Sequence, residues 1–186
     1  MSITRVASWL LFTIAGASLA TSFSCAVPEA STPGQAADPV ARGEYLVTIS
    51  GCNDCHTPGY LYGAPDEARM LSGSEVGWAG PWGIAFAANL TPDPVTGLGG
   101  WSDEEIITAL KTGQRPDGRM LAPFMPYANF SRLTDEDVQA IVAYLRSLPP
   151  VVHEEPAPVP PGEAYAGGVV VMPPPPAWDV PPPPAE

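Results

Sequence analysis

The chain has 186 residues, with eight Lys and Arg against twenty Asp and Glu, a formal net charge of −12, and 25 prolines beside 18 glycines. So acidic a chain, with no block of cations, is excluded from ordinary non-specific nucleic-acid binding, which needs Lys and Arg to displace phosphate counterions. The same balance excludes charge-driven attraction to anionic lipid, and the length admits one ordinary domain with part of the proline-rich sequence outside it.

Residues 1–25 read as an export signal. Arg5 is the only charge before Glu29, and the fifteen residues from Val6 to Ala20 carry no ionisable group. A helix of that length reaches roughly 22 Å, short of the ~30 Å hydrocarbon core, so a signal-peptide core fits better than a membrane span. Cys25 follows at once, ahead of a polar linker over residues 26–38. It resembles the acylated cysteine of bacterial lipoproteins, although Ser22-Phe23-Ser24 lacks the usual leucine three residues before it. Cleavage after Ala20, leaving Cys25 without lipid, is the competing reading.

Residues 39–150 are expected to form the domain, with seven basic and thirteen acidic side chains and hence a net charge of −6. Its first helix opens with Asp38 as N-cap and Pro39 in the first turn, then runs through Arg42-Gly43-Glu44-Tyr45-Leu46-Val47. Next comes Cys52-Asn53-Asp54-Cys55-His56, a C-x-x-C-H sequence and the attachment pattern of c-type haem. Two thiols two residues apart on a turn can add to the two vinyl groups, and the histidine after them is placed to ligate the iron. A thioredoxin-type dithiol would sit at a helix start in a βαβ setting, which is absent. Zinc would need a fourth ligand, and a disulfide across two residues closes too small a loop to stabilise much.

Residues 57–100 hold nine glycines, with Trp78 and Trp82 among them, and nothing there alternates like a sheet. A second helix opens at Ser102, with Glu105 completing a capping box, and stops at Gly113. Before the last helix, Met125 lies between Pro123-Phe124 and Pro126-Tyr127, where the prolines would fix an extended segment able to offer a thioether to the iron. Met125 is therefore the first candidate for the distal ligand, Met120 the second and Met70 the third. His153 is the only other histidine and lies beyond the last helix, so bis-histidine ligation is not expected. The last helix opens at Thr134 with Asp135, Glu136 and Asp137 at the positive end of its dipole. It presents Val138, Ile141, Val142 and Leu145 at helical spacing, and ends at Pro149-Pro150.

Residues 149–186 contain 14 prolines, and residues 151–186 contain five acids and no Lys or Arg. Such a stretch reads as a disordered, solvated spacer able to extend about 110 Å in polyproline geometry. Val169-Val170-Val171-Met172 is its one apolar island, with a docking strand as the alternative use.

The stretch from Arg42 to Leu148 resembles a class I cytochrome c domain, above all those of bacterial alcohol and sugar-acid dehydrogenase cytochrome subunits. The resemblance rests on Arg42-Gly43-Glu44-Tyr45-Leu46, Cys52 to His56, Asn89-Leu90-Thr91-Pro92-Asp93, Gly97 to Ser102, Arg115-Pro116-Asp117-Gly118, Met125-Pro126-Tyr127 and the run from Leu133 to Pro149. It implies an all-α cytochrome c fold, three or more short helices and long loops wrapped around one covalent haem c. Cys52 and Cys55 would carry the thioethers, His56 the proximal bond and Met125 the distal one. Gly43 and Tyr144 fit the place where the family's first and last helices cross. Those subunits typically hold three C-x-x-C-H units and this chain holds one.

The implied function is one-electron transfer in a respiratory or dehydrogenase-linked chain, at the periplasm or the outer face of a bacterial membrane, with no catalytic residue. Its partners would be redox proteins with a basic docking patch. Membrane contact would come only through lipid on Cys25 or an uncleaved signal. The competing classes are a haem enzyme or sensor with an open distal site, and a docking subunit of a larger redox complex.

Overall fold

The computed structural model describes residues 38–173. The expected signal segment, Cys25, most of the expected linker and the last part of the tail lie outside the described residues. Three capped helices frame the domain. Helix α1 (Pro39–Ile49) starts on Asp38, whose Oδ1 accepts from the Val40 amide at 3.0 Å. Helix α2 (Cys52–His56) is a single turn made by the C-x-x-C-H sequence. Helix α3 (Asp103–Thr112) carries the complete capping box: Ser102 Oγ accepts from Glu105 N at 3.2 Å, and Ser102 N donates to Glu105 Oε2 at 2.7 Å. A short helix α4 (Tyr127–Phe130) precedes α5 (Asp135–Ser147), which Thr134 caps by accepting from Asp137 N at 3.1 Å.

Helices α1 and α5 pack together to make the core. Leu46 and Val47 of α1 meet Val138, Ile141, Val142 and Leu145 of α5, all buried, and Ile106 of α3 and Leu98 close the cluster. Gly43 sits at the crossing, where a Cβ would run into Ala140 O and come within 2.7 Å of Tyr144 Cβ. Only glycine allows this approach, as the sequence pairing of Gly43 with Tyr144 implied. Arg146 near the end of α5 donates to Leu98 O at 2.8 Å, to Trp101 O, and to Asp103 Oδ1 at 3.0 Å, tying α5 to the start of α3.

A small sheet departs from the expected absence of strand pairing. Strands β1 (Gly77–Gly80) and β2 (Gly83–Phe86) form an antiparallel hairpin, and β3 (Val169–Val171) pairs parallel to β1, in the order β2-β1-β3. Strands of four residues bounded by glycine give too short a stretch for a period-two pattern to emerge. The turn is set by Pro81, Trp82 and Gly83, the last at φ 93° with Val159 O packed against it where a side chain would stand.

Residues 151–173 are not the solvated spacer expected from their composition. Asn89 Nδ2 donates to Val151 O at 2.7 Å, and His153 N donates to Thr96 Oγ1 at 3.1 Å. The His153 ring places Nδ1 2.6 Å from Ser72 O and Nε2 3.0 Å from Glu75 Oε1. Val159 exchanges both backbone bonds with Ile84, at 2.8 and 2.9 Å, and the apolar island forms β3. Proline removes a donor but leaves its carbonyl and its neighbours' amides free, so isolated residues such as Val159 can still pair. No helix among the described residues is long and apolar enough to cross a membrane.

Candidate functional site

Helix α2 places Cys52, Cys55 and His56 on the wall of a cavity of about 550 Å³. That volume lies within the range of small-molecule and cofactor sites. Gly51 starts the turn, and Asn53 braces it: Thr57 Oγ1 donates to Asn53 Oδ1 at 2.8 Å and accepts from Leu71 N at 2.8 Å. His56 is buried between two loops. Its carbonyl accepts from Gly73 N at 2.8 Å, and its ring Nδ1 lies 2.7 Å from Ala88 O. A carbonyl can only accept, so Nδ1 carries the proton and Nε2 is the nitrogen free to ligate. Burial pushes the ring's pKa down, outweighing the bond to Ala88, so the imidazole is held neutral, as a metal ligand must be.

No disulfide joins the two cysteines. Burial, the larger cause, pushes both up to about 11; the neighbouring Asp54 charge adds to the rise, while a backbone bond partly opposes it at Cys52. A redox dithiol lowers its thiol pKa instead, so this environment does not suit thioredoxin-type exchange. Among the described residues no cluster of three or more His, Cys, Asp or Glu side chains could hold a metal ion unaided.

The rest of the cavity is largely apolar. Val47 of α1, Ile106 and Ala109 of α3, and Ile141 and Leu145 of α5 contribute the surface that the core turns toward it. Met125, Phe124 and Pro126 form another part of the lining. The Met125 amide donates to Ala122 O at 2.9 Å and its carbonyl accepts from Tyr127 N at 2.8 Å. Of the other methionine candidates, Met120 lines the cavity but is 57 % exposed, and Met70 does not line it. Nor does His153, whose ring is engaged with Ser72 and Glu75. Cys25 lies outside the described residues.

Several lining residues were not singled out by sequence. Ala88 orients His56 through a backbone carbonyl, which leaves no trace in residue type. Glu154 to Pro158 of the tail also line the cavity, as do Arg115 and Arg119. Arg115 is the informative one. Its Nε is buried without a hydrogen-bond partner, 3.5 Å from Asp117 Oδ2 but not aligned with it, and its guanidinium lies 5.5 Å from the Trp101 ring centre. The Arg-Pro-Asp-Gly run could have flagged it.

These features fit a haem. The walls suit a flat apolar macrocycle, the thiols and the neutral imidazole stand together on one wall, and the orphaned Arg115 Nε is a donor suited to an acidic side arm. A family model described as Cytochrome c matches residues 40–149. The chain belongs to the cytochrome c family. The match covers α1 from Val40, all of α5 and Cys52, Cys55, His56 and Met125, and stops short of the tail that lines the cavity.

The relatives of this cytochrome agree. It is 38 % identical over 120 residues to the alcohol dehydrogenase (quinone) cytochrome c subunit of Gluconobacter oxydans, covering 64 % of this chain and 23 % of that protein. It is 38 % identical over 123 residues to the fructose dehydrogenase cytochrome subunit of Gluconobacter japonicus, covering 64 % of this chain and 24 % of that one. A diheme cytochrome c-type protein of Cereibacter sphaeroides is 35 % identical over 114 residues, 59 % of this chain and 36 % of its own length. The chain thus spans about a quarter of the length of the two dehydrogenase subunits.

Proposed function

We propose that this chain is a one-electron carrier for a single haem c, which His56 and Met125 would ligate and Cys52 and Cys55 would hold covalently. The observation that carries this reading is that all four side chains line one apolar cavity. Bound there, haem supplies a reversible ferric/ferrous couple. His56 offers a neutral Nε2 whose direction Ala88 O sets through the other ring nitrogen. Met125 offers a neutral thioether, which favours the reduced state. With His56 and Met125 both given to the iron, a substrate would have no ligand site there, so the chain would move electrons rather than act as an enzyme.

The acidity points to the partner. A domain of net charge −6 should meet a basic patch through a small, fast, salt-sensitive contact. That two relatives are named as cytochrome subunits of dehydrogenases supports a dehydrogenase as the redox partner. Export by residues 1–25 puts the chain in the periplasm or on the outer face of a membrane, with lipid on Cys25 or an uncleaved signal as the membrane attachment.

The test is a potentiometric titration of the exported protein combined with its intact mass. One covalent haem and a single one-electron transition support the reading; a second haem, or no covalent haem, contradicts it. Stopped-flow oxidation by a basic partner should slow steeply with salt, and a rate flat in salt would remove the docking part.

A further inference from the structure

We propose that Trp78 and Trp82 position the Met125 loop by clamping Phe124, with the tail strand β3 as the outer brace of that clamp. This rests on the reading of Met125 as the distal ligand. Phe124 precedes Met125 and lines the cavity beside it. Its ring also stacks on Trp78, with centroids 5.1 Å apart and planes inclined by 24°, and packs against Trp82 at 5.7 Å and 38°. The two indoles are fixed to each other, since Trp82 Nε1 donates to Trp78 O at 3.1 Å. Neither tryptophan lines the cavity, so both act through Phe124 and are positioning residues.

The loop needs such a hold. Pro123 and Pro126 deprive it of donors, and between α3 and α4 it belongs to no helix or strand of the domain. Its backbone bonds are Leu121 N to Gly113 O at 2.7 Å, then, within the loop and the start of α4, Arg115 N to Arg119 O at 2.9 Å, Gly118 N to Arg115 O at 3.0 Å, Met125 N to Ala122 O at 2.9 Å, Tyr127 N to Met125 O at 2.8 Å, and Asn129 N and Phe130 N to Pro126 O at 2.9 and 3.1 Å. Of these only the first reaches outside the loop and the start of α4. A thioether is a weak neutral ligand, so it keeps its position against a competing ligand only as far as its loop is held in place.

The clamp is in turn held from behind. Trp78 is the middle of β1, paired with Ala85 of β2 on one side and Val170 of β3 on the other. Gly77 N donates to Gly168 O at 2.9 Å and Met172 N to Ala79 O at 2.7 Å, closing β3 onto β1 at both ends. The tail, which lies beyond the residues matched to the family, therefore reaches the distal ligand through a contiguous series of contacts: β3, β1, Trp78, Phe124, Met125.

The experiment titrates the ferric full-length holoprotein with imidazole and follows loss of the far-red charge-transfer band that methionine sulfur gives to haem iron. Each aromatic pair contributes roughly two- to tenfold in an equilibrium constant. Trp78→Leu should therefore keep the band without imidazole but bind imidazole about fivefold more tightly, and Phe124→Leu more tightly still. The double variant should match Phe124→Leu alone, Trp78→Phe should restore most of the resistance, and Met172→Pro should act weakly in the same direction as Trp78→Leu. Trp82→Leu serves as a second clamp variant if Trp78→Leu does not fold. An imidazole affinity unchanged in Trp78→Leu and Trp82→Leu, or effects of Trp78→Leu and Phe124→Leu that simply multiply, would overturn the clamp alone. Persistence of the band in Met125→Ala would instead overturn the ligand reading, and the clamp with it.

Discussion

Gly43→Ala tests the packing that holds the cavity open to one side of the core. In the structure a Cβ at residue 43 meets a backbone carbonyl, Ala140 O, with Ala140 C at 2.6 Å and Tyr144 Cβ at 2.7 Å. None of these atoms can turn aside as a side-chain tip would, so α1 and α5 must separate by about 1 Å to reach ordinary contact. A gap of that size forfeits a quarter to a half of the dispersion well. Leu46, Val47, Ile141, Val142 and Leu145 are the buried side chains across the interface. At about 2 kcal/mol each they contribute about 10 kcal/mol, of which about 2.5–5 is lost. The better helix propensity of alanine returns about 1 kcal/mol, leaving a net cost of about 1.5–4 kcal/mol. Guanidinium unfolding of the holoprotein, followed by far-ultraviolet circular dichroism, reads this directly. With a slope of about 3 kcal/mol per molar, the midpoint should fall by roughly 0.5–1.3 M at unchanged slope. A midpoint within about 0.2 M of the parent would show that the helices do not pack through Gly43 as described.

Asn89 is buried and joins the Ala88 loop to the tail, accepting from Thr91 N at 2.9 Å and donating to Val151 O at 2.7 Å. Asn89→Ala leaves Thr91 N unsatisfied and Val151 O with only the long 3.4 Å bond from Thr91 Oγ1, and should cost about 2–4 kcal/mol in the same unfolding assay, with faster amide exchange around Val151. The tail anchor should also respond to acid. Burial pushes the Glu75 carboxyl up, but the hydrogen bond from Arg69, its own backbone and the nearby Arg69 and His153 charges outweigh it and hold it below its ordinary 4.5. A carboxyl lowered on folding stabilises above its unfolded pKa and loses that contribution as pH falls through the folded one. Amide protection at Val159 and Met172, read by hydrogen exchange, should therefore fall as the pH drops below Glu75's ordinary 4.5, and Glu75→Gln should flatten that dependence.

The capped helices were legible because their signals are local. Asp38 with Pro39, Ser102 with Glu105, and Thr134 with Asp137 each lie within three residues and fix the start of α1, α3 and α5. The C-x-x-C-H turn is equally local, and Met125, singled out by its flanking prolines, lines the same cavity. What sequence missed depends on contacts between distant segments. Val169 pairs with Gly77, 92 positions earlier, and three valines among prolines do not announce a partner. Asn89 meets Val151 across 62 positions through one side-chain amide. Composition judged the tail by its lack of a core of its own, while the structure supplies it with hydrogen-bond partners from the domain. The stacking of Phe124 on Trp78 and Trp82 likewise needs the hairpin in place, and the hairpin is too short and too rich in glycine to show a pattern.

The central claim is that Met125, and no other methionine, completes the coordination of the haem iron opposite His56. The ferric absorption spectrum of the exported holoprotein, compared with Met125→Ala and Met120→Ala, tests it most directly. A low-spin spectrum with the far-red methionine band, retained in Met120→Ala and lost in Met125→Ala, is the predicted result. A high-spin spectrum in the parent protein, or a band that survives Met125→Ala, would contradict it.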